Sequence, residues 1–244
     1  MIGNDDAIPQ LILSRIERLG YLSKGDIDAI RGLRFDVEAA ASGQLLVREG
    51  APTERCCLLV SGYACRHKTT RSGGRQIVSF HIPGDILDLQ HMLFARADHN
   101  VETITEAMIA WVPQDVLRRL IAARPTISAA LWHETMIEAS VFREWVLNVG
   151  RRDARSRIAH MLCEFAARCE AAGLGAQERL RLPMTQEHIA DATGLTAVHV
   201  NRMLSALRAE GVISGAGKYL QIADPARMRE VADFDPAYLH LAAA

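Results

Sequence analysis

The rhythm of apolar and polar positions changes several times along this 244-residue chain. Residues 8–19 place Leu11, Ile12, Ile16 and Leu19 at helical spacing. Asp26 is positioned to cap a second short helix. From Phe35 to Val112 the apolar residues gather in short stretches rich in Val, Ile, Leu and aromatics. Turn residues divide them: Ser42-Gly43, Gly50-Ala51-Pro52, Ser61-Gly62, Ser72-Gly73-Gly74 and Pro83-Gly84-Asp85. Turns recurring about every ten residues predict an antiparallel β sandwich or barrel. Gly62–Lys68 and Arg75–His81 flank a Gly-Gly turn and form a hairpin.

After Pro113 the period becomes helical. Pro113 and Pro125 both suit the first turn of a helix. Between Thr126 and Gly150 the apolar residues cover more than one face, and Glu134, Glu138 and Glu144 break every heptad register. A helix apolar on two sides covers its own domain and one further surface. The expected further surface is the same helix of a second subunit, met through Ile127, Leu131, Ile137, Val141 and Trp145. The competing reading buries the helix inside one large core. A further helix over 153–171 carries Ile158, Met161, Leu162, Phe165, Ala166 and Cys169, and Gly173 and Gly175 end it.

Composition narrows the classes. Hydrophobic residues are 49% and charged residues 23%, which excludes a disordered chain. No apolar run approaches the roughly 20 residues of a membrane span, so no membrane partner is expected. Asp5 and Asp6 replace the basic start of a secretory signal. Five cysteines without metal-type spacing fit a reduced, cytoplasmic interior. The net charge is −1, yet residues 151–230 hold 12 basic and 9 acidic side chains. A positive surplus there suits a local nucleic-acid surface.

That region carries the most informative motif. Gln186–Ser205 reads QEHIADATGLTAVHVNRMLS, with Thr185 as N-cap. Ala190 falls where two helices meet and a large side chain would not fit. Gly194 falls where a tight turn needs positive φ. Ile189, Leu195, Val200, Met203 and Leu204 hold the helices together, and Thr196 caps the second one. Its outward side presents Ala197, Val198, His199, Asn201 and Arg202 to a DNA major groove. Thr185 and Gln186 start the first helix of the pair. Val212–Ile222 reads as strand, Gly-rich turn, strand, and Leu180–Met184 supplies another strand. This is a winged helix-turn-helix, with Lys218 on the wing near a phosphate.

A β barrel, a long helix and a C-terminal winged helix-turn-helix, in that order, resemble the Crp/Fnr family of bacterial transcription regulators. The resemblance runs from about Phe35 to Ile222. It is most specific at Arg157-Ile-Ala and Leu182–Ile213, which includes Thr196–Arg202 and Leu207–Ile213, with Gly84-Asp85-Ile86 matching the family's effector domain. It implies an α+β fold: an N-terminal antiparallel β barrel of the double-stranded β-helix type, a long dimerisation helix and the winged domain. The expected parts are 1–124, 125–150 and 151–244. It also implies a homodimer on inverted-repeat double-stranded DNA, with RNA polymerase as a further partner. Arg202 matches the family's base-reading arginine, while Val198 stands where the family usually has Glu.

The effector site departs from the family pattern. Cyclic-nucleotide members carry Gly-Glu-Leu and a downstream Arg-Ser or Arg-Thr pair. Here Asp88-Leu89-Gln90 replaces the first, and Asp98–Glu102 contains no Arg. Such a site is poor for an anionic ligand, so cyclic AMP is not expected. An iron–sulfur cluster is not expected either, because no cysteine precedes Cys56. Cys56 and Cys57 point to opposite faces of a strand and pack in the barrel, and Cys163 and Cys169 do not share a helical face. Haem stays open, with His67, His81, His91 and His99 as candidate axial ligands. Each of these reads first as a surface or hydrogen-bonded histidine. The effector residues stay unknown. No catalytic residues and no metal ligands are assigned: His133-Glu134 lacks a second metalloprotease His, and G-x-S-x-G, P-loop and cupin His-x-His patterns are absent. The alternatives are a constitutive regulator with a ligand-free barrel, and a barrel enzyme fused to a helical domain.

Overall fold

The computed structural model describes residues 4–16, 22–175, 180–215 and 219–241. Two compact units emerge, Met1–Arg66 with His81–Glu138, and His67–Phe80 with Ala139–Ala244.

The first unit opens with α1 (Asn4–Ile16) and α2 (Lys24–Arg31). Ile8, Ile12, Leu13 and Ile16 give α1 its buried side; Leu19 of the expected helix lies outside the described residues. Ser23, not Asp26, is the N-cap of α2. Asp26 sits three residues in and its carboxylate returns to the Ser23 backbone N–H at 2.9 Å, completing a capping box. Asp26 also accepts a hydrogen bond from Thr126 Oγ1 at 2.7 Å.

Seven strands follow in a jelly-roll-like arrangement. They are β1 (Asp36–Ala40), β2 (Leu45–Val47), β3 (Arg55–Ser61), β4 (Ala64–Thr69), β5 (Arg75–His81), β6 (Asn100–Thr103) and β7 (Ala107–Pro113). One sheet has the order β1-β7-β3 and the other β2-β6-β4-β5. β7 pairs antiparallel with both neighbours, Cys57 opposite Trp111 and Leu59 opposite Ile109. β3 is buried on both faces, which is why Cys56–Val60 reads as a continuous apolar run. Cys57 and Leu59 join Val101, Ile109 and Trp111 in one cluster. Leu58 joins Ile12, Leu13, Ile127 and Leu131 in a second, and Cys56 joins Leu33, Val112 and Leu117 in a third. Each fully buried aliphatic side chain of this kind contributes about 1.5–3 kcal/mol. The turn between β3 and β4 needs glycine twice over. Gly62 has φ +82, and a Cβ there would lie 2.3 Å from the Glu106 carbonyl oxygen.

Two helices follow, α3 (Gln114–Ala123) and α4 (Pro125–Arg151). Pro113 is the cap residue of α3, while Pro125 starts α4 as expected. The boundary between the units passes through the β4–β5 hairpin and through α4.

In the second unit α5 (Ala154–Ala171) is capped by Asp153, whose side chain accepts from the N–H groups of Arg155 and Ser156. From Ile158 to Ala167 it is buried throughout. Then come β8 (Leu180–Arg181), α6 (Gln186–Thr193), α7 (Ala197–Ala209), β9 (Ile213–Ser214) and β10 (Tyr219–Ile222). The three strands pair antiparallel in the order β8-β10-β9. α8 (Pro225–Ala232) follows and was not expected, although Asp224-Pro225 is a cap followed by a first-turn proline.

Candidate nucleic-acid interface

The turn between α6 and α7 is built as its sequence demands. Thr185 caps α6, its hydroxyl accepting from the His188 N–H at 3.2 Å. Ala190 is buried. Gly194 ends α6 in the left-handed region, φ 67 and ψ 34, its N–H donating to the Ala190 carbonyl. Thr196 caps α7, accepting from the His199 N–H at 3.2 Å. Val200, Leu204 and Leu207 turn inward, and Ile189 and Ala192 meet them from α6.

What remains outside is the expected face. Val198 is 75% exposed, and Asn201 and Arg202 are exposed beside it. Ala197 and His199 are half-buried at the start of the helix, and Thr196 is exposed. Thr185 and Gln186 are exposed at the start of α6, and Asn201 Nδ2 donates to Gln186 Oε1 at 3.2 Å. The two helices therefore present one polar surface. Lys218 lies outside the described residues.

Three supports were not read from the motif. Arg157 Nη1 donates to the Thr193 carbonyl at 2.7 Å, and its Nη2 donates to the Arg152 carbonyl at 3.0 Å. This fixes the chain just before Gly194 and gives the Arg157-Ile-Ala signature a mechanical role. Arg208 Nε donates to the Gly215 carbonyl at 3.0 Å, tying the end of α7 to the wing. Arg75 Nε pairs with Asp191 at 2.7 Å, and Gln76 Nε2 donates to the Ala192 carbonyl at 3.1 Å. The hairpin tip thereby braces α6, a long-range pairing with no local signal.

The candidate dimerisation residues sit differently from expectation. Ile127, Leu131 and Trp145 are buried within their own chain, and Ile137 and Val141 are half-buried. Ile127 and Leu131 belong to the α1 cluster, and Trp145 Nε1 donates to Glu164 at 2.9 Å. At about 100° per residue, Trp132, Met136, Ala139, Arg143, Val146 and Gly150 fall on a different line of α4. Trp132 is 61% exposed, Met136 43%, Val146 75% and neighbouring Leu147 45%. The apolar pattern revealed two faces but could not say which one the chain itself covers.

The barrel's candidate site is a cleft of about 430 Å³ lined among others by Arg48, Arg55, Asp88, His91 and Trp111. Asp88 is buried, and its Oδ1 accepts the Cys57 N–H at 3.0 Å. The stretch 98–102 lacks arginine as read, but the cleft as a whole does not. Arg55 stacks over Trp111 at 4.5 Å and pairs with Glu38 at 3.3 Å. The buried Arg66 guanidinium donates to the Leu87 carbonyl at 2.6 Å and to Glu138. Arg66 is not part of the cleft lining, which the buried Asp88 carboxylate shares with Arg48 and Arg55, and a carboxylate in the lining disfavours an anionic ligand.

The four candidate sensor histidines are all buried rather than on the surface. His81 Nδ1 meets Asp85 Oδ2 at 3.2 Å, and burial lowers its pKa. Arg15 bridges Asp85 and Glu134, another residue that sequence alone did not mark. Burial holds the pKa of His99 near 4. All five cysteines are buried. Burial raises the thiols of Cys56 and Cys57, and that of Cys163 to about 12. Cys56 and Cys57 point into different clusters, so these thiols do not fit an iron–sulfur cluster, which needs convergent thiolates. Among the described residues no helix is long and apolar enough to cross a membrane.

Known proteins match both halves. The model of the cyclic nucleotide-binding domain matches residues 37–124 and that of the Crp-like helix-turn-helix domain residues 156–231. The transcriptional activator protein FnrL of Cereibacter sphaeroides is 30% identical over 198 residues, covering 80% of this chain and 79% of that protein. The anaerobic regulatory protein of Haemophilus influenzae is 29% identical, covering 83% of this chain and 79% of its own length. The solved structure of FixK2 from Bradyrhizobium japonicum is 26% identical with a TM-score of 0.76, covering 82% of this chain and 98% of that one. A β-barrel domain followed by a winged helix-turn-helix defines a DNA-binding regulator, not an enzyme. The chain belongs to the Crp/Fnr family of transcription regulators.

Proposed function

We propose that this regulator acts as a homodimer on an inverted-repeat operator, setting α7 of each protomer in a major groove, and that it does so without a cyclic nucleotide. The observation that carries the reading is the exposed face Val198, Asn201 and Arg202 on a helix fixed by Thr196, Gly194 and Arg157. Arg202 bonds a guanine through O6 and N7, worth about 1–3 kcal/mol of discrimination. Val198 cannot accept a hydrogen bond and touches a thymine methyl. This makes the operator differ from those of relatives with Glu there. Thr185, Gln186, Thr196, Ala197 and His199 flank phosphates or an adjacent base edge, and Lys218, outside the described residues, is the further phosphate contact that the sequence suggests. The dimer uses the uncovered line of α4. RNA polymerase is the further partner, in the cytoplasm where the DNA lies. Selection from a random duplex library tests the base contact. Arg202→Ala loses preference at one symmetric pair of positions, whereas an unchanged consensus with uniformly weaker binding makes Arg202 a phosphate contact.

A further inference from the structure

We infer that the first unit holds a site for a divalent first-row transition metal, zinc or ferrous iron, with His91, Asp98 and His99 as its protein ligands. His91 comes from the 3-10 turn Leu89–Met92, and Asp98 and His99 come from the residues just before β6. One donor atom from each lies within 4.8 Å of the other two. The two imidazoles stack, with centroids 5.1 Å apart and planes 16° from parallel.

A second observation points to a missing ligand. His91 is 0% exposed, and neither ring nitrogen makes a hydrogen bond. Buried polar groups are normally satisfied, and a metal would satisfy one nitrogen here. The support for the other is in place. Asp88 Oδ2 stands 3.6 Å from His91 Nδ1 while Oδ1 is anchored on the Cys57 N–H. A small turn of the ring gives the carboxylate–imidazole bond that orients metal-bound histidines. His99 Nδ1 bonds Asp98 at 2.6 Å, and its Nε2 meets the Gln90 amide at a long 3.4 Å, a contact a metal would replace.

The chemistry selects the cation. Two imidazoles and one carboxylate suit zinc or iron, whereas magnesium and calcium prefer oxygen alone. Three protein ligands leave coordination positions open for water or a small molecule. Asp88 and His91 line the cleft described above, and the Asp98 side chain is 71% exposed, so an ion has a way in. Bonds of about 2.0–2.1 Å in tetrahedral geometry bring donors to roughly 3.3 Å of one another. The rings therefore leave their stack as the metal binds, and the segment before β6 moves with them.

The test is titration of full-length, chelator-stripped protein with Co²⁺ and then Zn²⁺. One cobalt per chain is expected, with visible absorption bands that zinc displaces. Asp98→Ala changes an exposed side chain, so it keeps the fold, as circular dichroism verifies. It weakens zinc binding at least about tenfold, and His91→Gln removes it. The inference is overturned if folded wild type binds neither ion more tightly than about 100 μM. It is also overturned if Asp98→Ala binds zinc as wild type does. Neither readout involves DNA, so failure here leaves the regulator reading intact.

Discussion

His160 is sealed inside the second unit, 1% exposed, stacked on Tyr238 at 5.8 Å and edge-on to Phe234 at 5.3 Å. Burial is the main cause that holds its pKa near 3. Arg152 lowers it further, while Asp233 raises it slightly. Glu144 Oε1 lies 3.2 Å from its Nε2. In the folded protein the ring is neutral, and in the unfolded chain it titrates near 6.5. The unfolded state therefore takes the proton first. The stability this group supplies is complete above pH 6.5 and is lost as the pH falls toward 3. The steepest loss is about 1.4 kcal/mol per pH unit. Denaturation midpoints of His160→Gln between pH 7 and pH 4 should show a shallower pH slope than wild type; equal slopes would refute this. His99, held near pKa 4, acts in the same direction. Such histidines are the least legible feature of the sequence. Their burial depends on distant segments such as Phe234 and Tyr238, and nothing within a local window marks it.

Elements were legible where their determinants are consecutive. The helix-turn-helix could be read because Thr185, Ala190, Gly194 and Thr196 fall within a dozen residues and each meets a local backbone demand. The brace from Arg75 and Gln76 could not, because it joins positions more than a hundred residues apart. Capping shows the same limit on a smaller scale: Ser23 and Asp26 are both good cap residues, and only the geometry separates cap from partner. Two glycines turn this into a measurement. Gly194 has φ +67, but a Cβ there meets nothing closer than 3.8 Å. Gly194→Ala therefore costs about 1–2 kcal/mol for the left-handed backbone alone. Gly62→Ala adds an overlap with the Glu106 carbonyl, worth a further ~1–3 kcal/mol of strain. Urea unfolding should rank Gly62→Ala well below Gly194→Ala, and the reverse order would show that the carbonyl moves aside freely.

At the scale of the molecule, the order of barrel, long helix and winged domain was legible from the changing period, but the face of α4 left uncovered by its own chain was not. α4 carries apolar residues on more than one face, so periodicity gives two candidate faces. Ile127, Leu131 and Trp145 of the first are buried against their own chain, while Ile137 and Val141 are half-buried. Trp132, Met136, Val146 and Leu147 stay uncovered along a 27-residue helix. Large apolar side chains aligned on one exposed stripe mark an interaction surface. A stripe on a single helix is self-complementary under a two-fold axis, the symmetry an inverted-repeat operator requires. Trp132→Glu with Val146→Glu places charges on that stripe without opening either core. Sedimentation should show monomers, and operator affinity should fall by about 10²–10⁴, because the second half-site is then no longer bound intramolecularly. Val141→Glu, on the other side of the helix, is the control: it lowers stability but leaves the dimer associated. If the double variant stays dimeric while Val141→Glu dissociates, the subunits meet through the face first read from the sequence, and the exposed stripe serves another partner.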